Sequence, residues 1–218
     1  MTRKVVTRSP KREVGVVNAA WLLDHEVEHE SHLERRFIMV ALSCPLVVDI
    51  IHQPLVVWLG PDQTHRYTPD FLVTFASGEQ VVIEVKPDVF LKKHRARLDA
   101  ARTSLAGFGY SFLIVTDKHI DADGLGARAM LLMRYGRLLI GEAERIKCKQ
   151  ILEERFSGSA TVKDLIAQGI PEEVIWNLVA THVLRIPAGL SISDAETVSL
   201  NLTKEESHDF FCTWLGLA

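Results

Sequence analysis

Residues 66–87 read RYTPDFLVTFASGEQVVIEVKP, and the fold turns on that stretch. Phe71-Leu72-Val73-Thr74-Phe75 and Val81-Val82-Ile83-Glu84-Val85-Lys86 are rich in β-branched and aromatic residues, with the turn residues Ser77 and Gly78 between them. This is the pattern of two strands joined as a hairpin. Alternate residues of a strand share a face, so Glu84 and Lys86 are predicted to point one way while Val81, Ile83 and Val85 point into the core. Folding about Ser77-Gly78 brings Asp70, which follows Pro69, opposite the Glu84–Lys86 end. A charged pair at the end of an otherwise apolar strand is unfavourable unless it binds something. Magnesium suits the pair, because one or two carboxylates hold it while it keeps several waters. Such an ion can polarise a phosphate and lower the pKa of a bound water, and Lys86 could orient that water or neutralise developing negative charge. These parts suffice for metal-dependent cleavage of a phosphodiester. The bland alternative is a surface salt bridge between Glu84 and Lys86; the Pro before the Asp, the hairpin and the apolar strands favour the catalytic reading.

Upstream, residues 24–44 are predicted to form an amphipathic helix, since Leu33, Phe37, Val40 and Ala41 recur at helical spacing. Glu34 sits beside that apolar stripe; the ordinary alternative makes it an exposed partner of Arg35 or Arg36. His25-Glu26-Val27-Glu28-His29 matches H-E-x-x-H, which on a helix would present two zinc ligands and a base. Zinc peptidases bury that helix, whereas Asp24, Glu26, Glu28, Glu30 and His32 make this one polar. The preferred reading is a solvated acidic first turn, suited to the helix dipole, over a zinc peptidase or a structural metal site at His25, His29 and His32.

The chain has 218 residues, 47% of them hydrophobic, and a formal net charge of −3. That is enough for a sizeable core and for one large domain or two small ones. No apolar run is long enough to span a bilayer, and the N-terminus, MTRKVVTRSPKR, lacks the apolar core of a signal peptide. Cys44, Cys148 and Cys212 are odd in number and far apart, as expected of reduced cytoplasmic thiols. With an acidic balance, any DNA contact must come from local patches or from partners. Two patches exist. Arg3, Lys4, Arg8, Lys11 and Arg12 form an N-terminal arm with no acid. Lys92, Lys93, Arg95 and Arg97 open a helix predicted to run to about 106 and to end at Gly107 and Gly109. Val89, Leu98, Ala101 and Leu105 are expected to face the sheet, and the basic residues the DNA backbone. The alternative is an ordinary solvated helix face. Residues 110–116 then form a strand parallel to the catalytic one.

After about 137 the pattern changes. A helix is predicted over 142–156, a second starts at the cap Thr161 and ends at Gly169, and a third begins at Pro171 with Val174, Ile175, Leu178 and Val179 as its stripe. Residues 183–186 and 197–200 are candidate wing strands. Three helices and a short hairpin suggest a winged helix, with 171–182 in the recognition position. That helix carries Glu172 and Glu173 and no basic residue before Arg185, so protein docking is preferred over groove reading. The apolar tail, 210–215, either folds back on the domain or serves as a docking peptide.

These residues resemble the PD-(D/E)xK nucleases of the restriction-endonuclease-like fold. More narrowly they resemble TnsA, the endonuclease subunit of heteromeric transposases. The likeness rests on Ser31-His-Leu-Glu34-Arg-Arg-Phe37, on Gln53-Pro54 before a strand, and on Arg66-Tyr67-Thr68-Pro69-Asp70-Phe71 followed by Ile83-Glu84-Val85-Lys86-Pro87. It implies an α/β protein: a mixed sheet flanked by helices over 1–137, and a small winged-helix-like domain with a docking tail over 138–218. It further implies Mg2+, or Mn2+ in its place, held by Glu34, Asp70, Glu84 and the Val85 backbone carbonyl, with Lys86 completing the catalytic set. The implied reaction is cleavage of the non-transferred strands at the 5′ ends of a transposon. It would proceed beside a TnsB-type transposase and a TnsC-type AAA+ regulator, in the bacterial cytoplasm at the nucleoid. A free-standing repair, restriction or junction-resolving nuclease and a catalytically silent adaptor are the competing readings.

Overall fold

In the computed structural model, residues 14–60, 62, 64–200 and 207–217 are described; the basic arm from Arg3 to Arg12 lies outside them. Gly78 closes the central turn at φ +85°, a conformation that glycine adopts without steric penalty, and its N–H donates to the Phe75 carbonyl at 2.8 Å. The chain enters through a small antiparallel hairpin, β1 (Gly15–Val17) and β2 (Val27–His29), followed by helix α1 (His32–Ser43). Next come β3 (Val47–His52), a second small hairpin of β4 (Val57–Leu59) and β5 (His65–Tyr67), then β6 (Phe71–Phe75) and β7 (Gln80–Val85). Helix α2 (Asp88–Gly107) crosses over to β8 (Ser111–Val115). The four-stranded sheet has the order β3-β6-β7-β8, with β3, β6 and β7 antiparallel and β8 parallel to β7. It is the mixed, restriction-endonuclease-like sheet flanked by helices that the sequence implies.

Both sheet faces are covered, which is why β7 is buried along nearly its whole length. Phe71, Val73, Val81, Ile83 and Val85 join Phe37, Ile38 and Val40 of α1 in one cluster. On the opposite face Leu72 and Val82 meet Leu98, Ala101 and Leu105 of α2, along with Val57, Leu59 and Tyr67 from the β4–β5 hairpin. Val89, expected at that interface, is instead 77% exposed: it sits in the first turn of a helix that starts at Asp88, beyond the sheet edge.

The long helix expected over 24–44 is shorter. Ser31 caps α1, accepting from the Glu34 N–H at 3.1 Å, and the preceding residues extend into β2 against β1. His25 and His29 therefore never share a helical face. His25 binds the Asp49 carboxylate at 2.8 Å, and His32 is exposed. The zinc-peptidase and three-histidine readings both fall with the helix they required.

Beyond β8 come α3 (Asp117–Asp121) and α4 (Leu125–Gly136), then α5 (Glu142–Phe156), β9 (Ser159–Thr161), α6 (Val162–Ala167), α7 (Glu172–Ala180), β10 (Thr197–Ser199) and α8 (Ser207–Trp214). Thr161 caps α6 as read from sequence, accepting from the Asp164 N–H at 3.1 Å. The wing strands pair differently from expectation: β10 pairs with β9, and residues 183–186 contribute only the Arg185–Ser199 bridge. Ser157 and Gly158, at φ +52° and +87°, turn the chain directly from α5 into β9 and so supply that partner. Helix α7 packs on α4, with every residue from Val174 to Ala180 buried. It is a core helix: the apolar stripe of the recognition position expected for 171–182 is spent on packing, and only its first turn, from Pro171 to Glu173, is exposed.

The same core cluster holds residues from both ends of the chain. The last carbonyls of a helix have no partner within it, and two of those in α1 take partners far away in sequence: Trp214 Nε1 donates to the Val40 carbonyl at 3.1 Å, beside the local Ser43 hydroxyl, and His182 Nε2 lies 2.9 Å from the Leu42 carbonyl. Burial lowers the His182 pKa to about 4, so the ring is neutral near pH 7 and, facing that carbonyl, carries its proton on Nε2. Phe211, Trp214 and Leu215 are buried, and the Phe211 ring sits 5.2 Å from that of Phe75. The tail thus folds back, and its apolar residues are not on offer as a docking peptide. Trp214→Ala should destabilise the protein by about 3–5 kcal/mol, the range for emptying a large aromatic site, as measured by chemical denaturation. A loss below about 1 kcal/mol would show the tail to be dispensable to the core.

Candidate active site

Cross-strand register assembles the centre. Phe71 pairs with Ile83, so Asp70 comes next to Glu84 and Val85 at the end of the hairpin. Asp70 Oδ2 accepts from the Val85 N–H at 2.7 Å. Glu84 and Lys86 alternate onto the same side, as predicted, with Lys86 Nζ 2.7 Å from Glu84 Oε1. The pair is no surface bridge: the two side chains are only 7% and 22% exposed. A buried pair of this kind gains little stability because desolvation opposes the attraction.

Glu34 is buried too, at 8% exposure, but its hydrogen bonds are local. Its carboxylate accepts from Ser31 Oγ at 2.9 Å and from the Glu30 N–H at 2.6 Å. Ser31 and Glu34 thus bond each other in both directions, the Ser31 hydroxyl accepting from the Glu34 N–H and donating to its carboxylate. Its nearest link towards the strands is His52 Nε2, at 3.9 Å. The exposed pairing with Arg35 or Arg36 does not form, because the side chain turns inward. Glu34 nonetheless acts on the centre through its charge. Burial, then repulsion from Glu84 and Glu34, pushes the Asp70 carboxyl well above the usual carboxylate range, against the opposing pulls of the Val85 N–H and the Lys86 ammonium. Burial chiefly raises Glu34 as well, with Glu84 a lesser contributor. Three carboxylates thus act on one another with one ammonium beside them.

Two participants were not singled out from sequence. Tyr67, fully inside the motif and buried, donates its hydroxyl to Glu84 Oε2 at 2.6 Å. Burial and the neighbouring Glu84 raise its pKa, which keeps it a neutral donor. Both Glu84 oxygens are thereby held, one by Lys86 and one by Tyr67. The signal was available: Tyr67 precedes Pro69-Asp70 in an alternating strand whose next outward residue is Arg66. Gln53 is the other. It holds φ +45°, an uncommon conformation for a residue with a side chain, while its N–H binds the Asp70 carbonyl at 2.7 Å and its amide reaches Glu30 at 3.3 Å. It braces the backbone that carries Asp70.

The donor set is hard oxygen, suited to magnesium, manganese or calcium rather than zinc. Among the described residues no three His, Cys, Asp or Glu side chains converge as a closed metal cage. Magnesium does not need one, since it commonly binds one or two carboxylates and completes its shell with water. Asp70 and Glu84 fit that requirement, and the mutual repulsion that raises Asp70 is what a cation would relieve. Val85, proposed to add a backbone carbonyl, lies between Glu84 and Lys86 with its N–H already spent on Asp70. Lys92, Lys93, Arg95 and Arg97 are all exposed on α2. Arg95 lies 3.8 Å from Asp99, and Arg97 stacks over the Tyr67 ring at 5.4 Å.

The raised Asp70 pKa has a stability consequence. Above the ordinary carboxylate range the folded state retains a proton that the unfolded state has lost, so stability falls as pH rises towards the folded-state value. Asp70→Asn should therefore melt above the unmodified protein at pH 7 in a metal-free buffer, by at least about 2 °C, and the gap should close below about pH 4. A lower melting temperature for Asp70→Asn at neutral pH would show that the buried charge is not a liability.

No curated protein matches the chain. Residues 44–117 match the family described as TnsA-like endonuclease N terminal, a span that includes Tyr67, Asp70, Glu84, Lys86 and the whole of α2 but leaves Glu34 outside. Over that segment, about a third of the 218 residues, the chain is similar to the TnsA-like endonucleases.

Proposed function

We propose that the protein is the DNA endonuclease subunit of a transposase, requiring Mg2+ or Mn2+, and that it cuts the non-transferred strands at the 5′ ends of the element. The observation that carries this reading is the buried juxtaposition of Asp70 with the Glu84–Lys86 pair inside the TnsA-like segment. When bound, the metal would polarise the scissile phosphate and acidify a water. Asp70, Glu84, Glu34 and the Val85 carbonyl are its proposed ligands. Tyr67 and Lys86 hold the Glu84 carboxylate in a single orientation. Lys86 is also the cation nearest the reacting centre, able to orient the nucleophile or to stabilise developing negative charge. The basic flank of α2 supplies phosphate contacts, and a TnsB-type transposase and a TnsC-type regulator supply placement. The net charge of −3 supports such dependence on partners.

Cleavage of end-containing DNA by the purified protein with its transposase partner in Mg2+ tests the chemistry. Asp70→Ala, Glu84→Ala and Lys86→Ala should each lose at least about 100-fold, the scale for removing one group that stabilises a transition state. Glu26→Gln should cut normally. Full cutting by Asp70→Ala would sink the assignment, and robust site-specific cutting without the transposase would favour a free-standing nuclease.

Reversing Lys92, Lys93, Arg95 and Arg97 together should weaken duplex binding irrespective of sequence and flatten its salt dependence, because phosphate contacts carry no base information. An unchanged salt slope would identify the patch as an ordinary solvated face.

A further inference from the structure

The β4–β5 hairpin lies along one flank of α2, fixed there by two backbone acceptors: Ser104 Oγ donates to the Trp58 carbonyl at 3.2 Å, and Arg97 donates to the Arg66 carbonyl at 3.4 Å. Between hairpin and helix opens a cleft of about 550 Å³, with Thr64, His65 and Arg66 on one wall and Ala96, Arg97 and Ala100 on the other. The two alanines leave the room. Among the described residues, no Asp or Glu lines it. The cleft on the opposite flank of α2 differs, since Asp88 and Asp99 there stand among Lys92, Arg95 and Arg102. In a chain of net negative charge, the described walls of the hairpin cleft thus carry arginines and no carboxylate.

Its position ties it to the chemistry. Arg97 stacks on the Tyr67 ring at 5.4 Å, and Tyr67 donates to Glu84 at 2.6 Å. One wall of the cleft is therefore two contacts from the candidate metal-binding carboxylate. Trp58, paired with Arg66 across the hairpin and 49% exposed, extends the same outer face with an aromatic surface on which a base can stack.

We propose that this cleft is a phosphate subsite of the nuclease, in which Arg66 and Arg97 from facing walls take one backbone phosphate of DNA flanking the scissile bond. The proposal rests on the nuclease reading for its ligand. Guanidinium groups suit it, because their planar forks match phosphate oxygens. Occupancy would also set the position of Arg97 on Tyr67, and so bear on the group that orients Glu84.

The test is fluorescence anisotropy of the full-length protein with a labelled duplex of about 30 bp between 50 and 200 mM KCl. Variants are Arg66→Gln, Arg97→Gln and the double substitution, with Lys163→Gln, an exposed residue of α6, as control and melting curves to verify folding. Each single variant should bind several-fold more weakly at 50 mM salt. The salt slope of the double variant should fall by about 1, the value for one phosphate contact, rather than by about 2, and the control should be unmoved. Unchanged binding by Arg66→Gln, a fall of about 2 in the double variant, or no duplex binding by the unmodified protein at 50 mM salt would each overturn the subsite. Cleavage by Asp70→Ala judges the nuclease reading separately. If Asp70→Ala is inactive while Arg66→Gln keeps its salt slope, the cleft alone is wrong; if Asp70→Ala cuts while the arginine variants behave as expected, the cleft stands as a nucleic-acid site without that chemistry.

Discussion

Everything at the centre depends on the register of β6 on β7. Once Phe71 lies opposite Ile83, Asp70 has no course but to meet Glu84 and Val85, and two carboxylates must share a volume that the sheet and its covering layers have largely cut off from water. A one-residue slip would turn every side chain of a strand to the other face, sending Phe71 and Val73 away from α1 and Asp70 away from Glu84 at once. The apolar alternation that builds the core therefore also fixes the charges. The repulsion that results is not relieved by the fold. Lys86 answers one oxygen of Glu84, Tyr67 the other, and the Val85 N–H one oxygen of Asp70. Strain of this kind, held in place by a well-packed surround, is characteristic of sites built to bind something.

That surround draws on the whole length of the chain. Helix α1 covers the sheet and brings Glu34 near its end, and two of its final carbonyls are bonded by His182 and Trp214. The C-terminal helices thus act on the site through the helix that carries Glu34. The fully buried α7 and the inward-facing Phe211, Trp214 and Leu215 place the later segments among the supports of the nuclease core.

How much of this was legible in the sequence follows from which interactions are local. The central hairpin, α2, the parallel β8 and the α5 helix were readable, because periodicity and turn residues report local structure. The Asp70–Glu84–Lys86 arrangement was readable because a hairpin makes it nearly local. The start of α1 was misjudged: residues 24–30 have helical-looking spacing, but pairing of β2 with β1 overrides it, and the N-cap Ser31 was the better signal. The role of α7 could not be read from its stripe alone, since an apolar face does not name the surface it will cover. The role of Tyr67 and its contact with Arg97 escaped notice because the contacts, Arg97 with Tyr67 and Tyr67 with Glu84, join three separate elements.

That same chain of contacts limits how the functional parts can be separated. The basic flank of α2 and the carboxylate centre look independent in sequence, one a run of cations and the other an acidic motif. In the folded protein Arg97 lies on Tyr67 and Tyr67 holds Glu84. A guanidinium over an aromatic face gains little when it stays exposed to water and more as water is excluded. A phosphate drawn to Arg97 would neutralise it and alter that stacking, and the change would reach the donor that fixes Glu84. Substrate contact and the orientation of Glu84 are then parts of one arrangement, because the hairpin that ends at Tyr67 also forms the wall of the cleft.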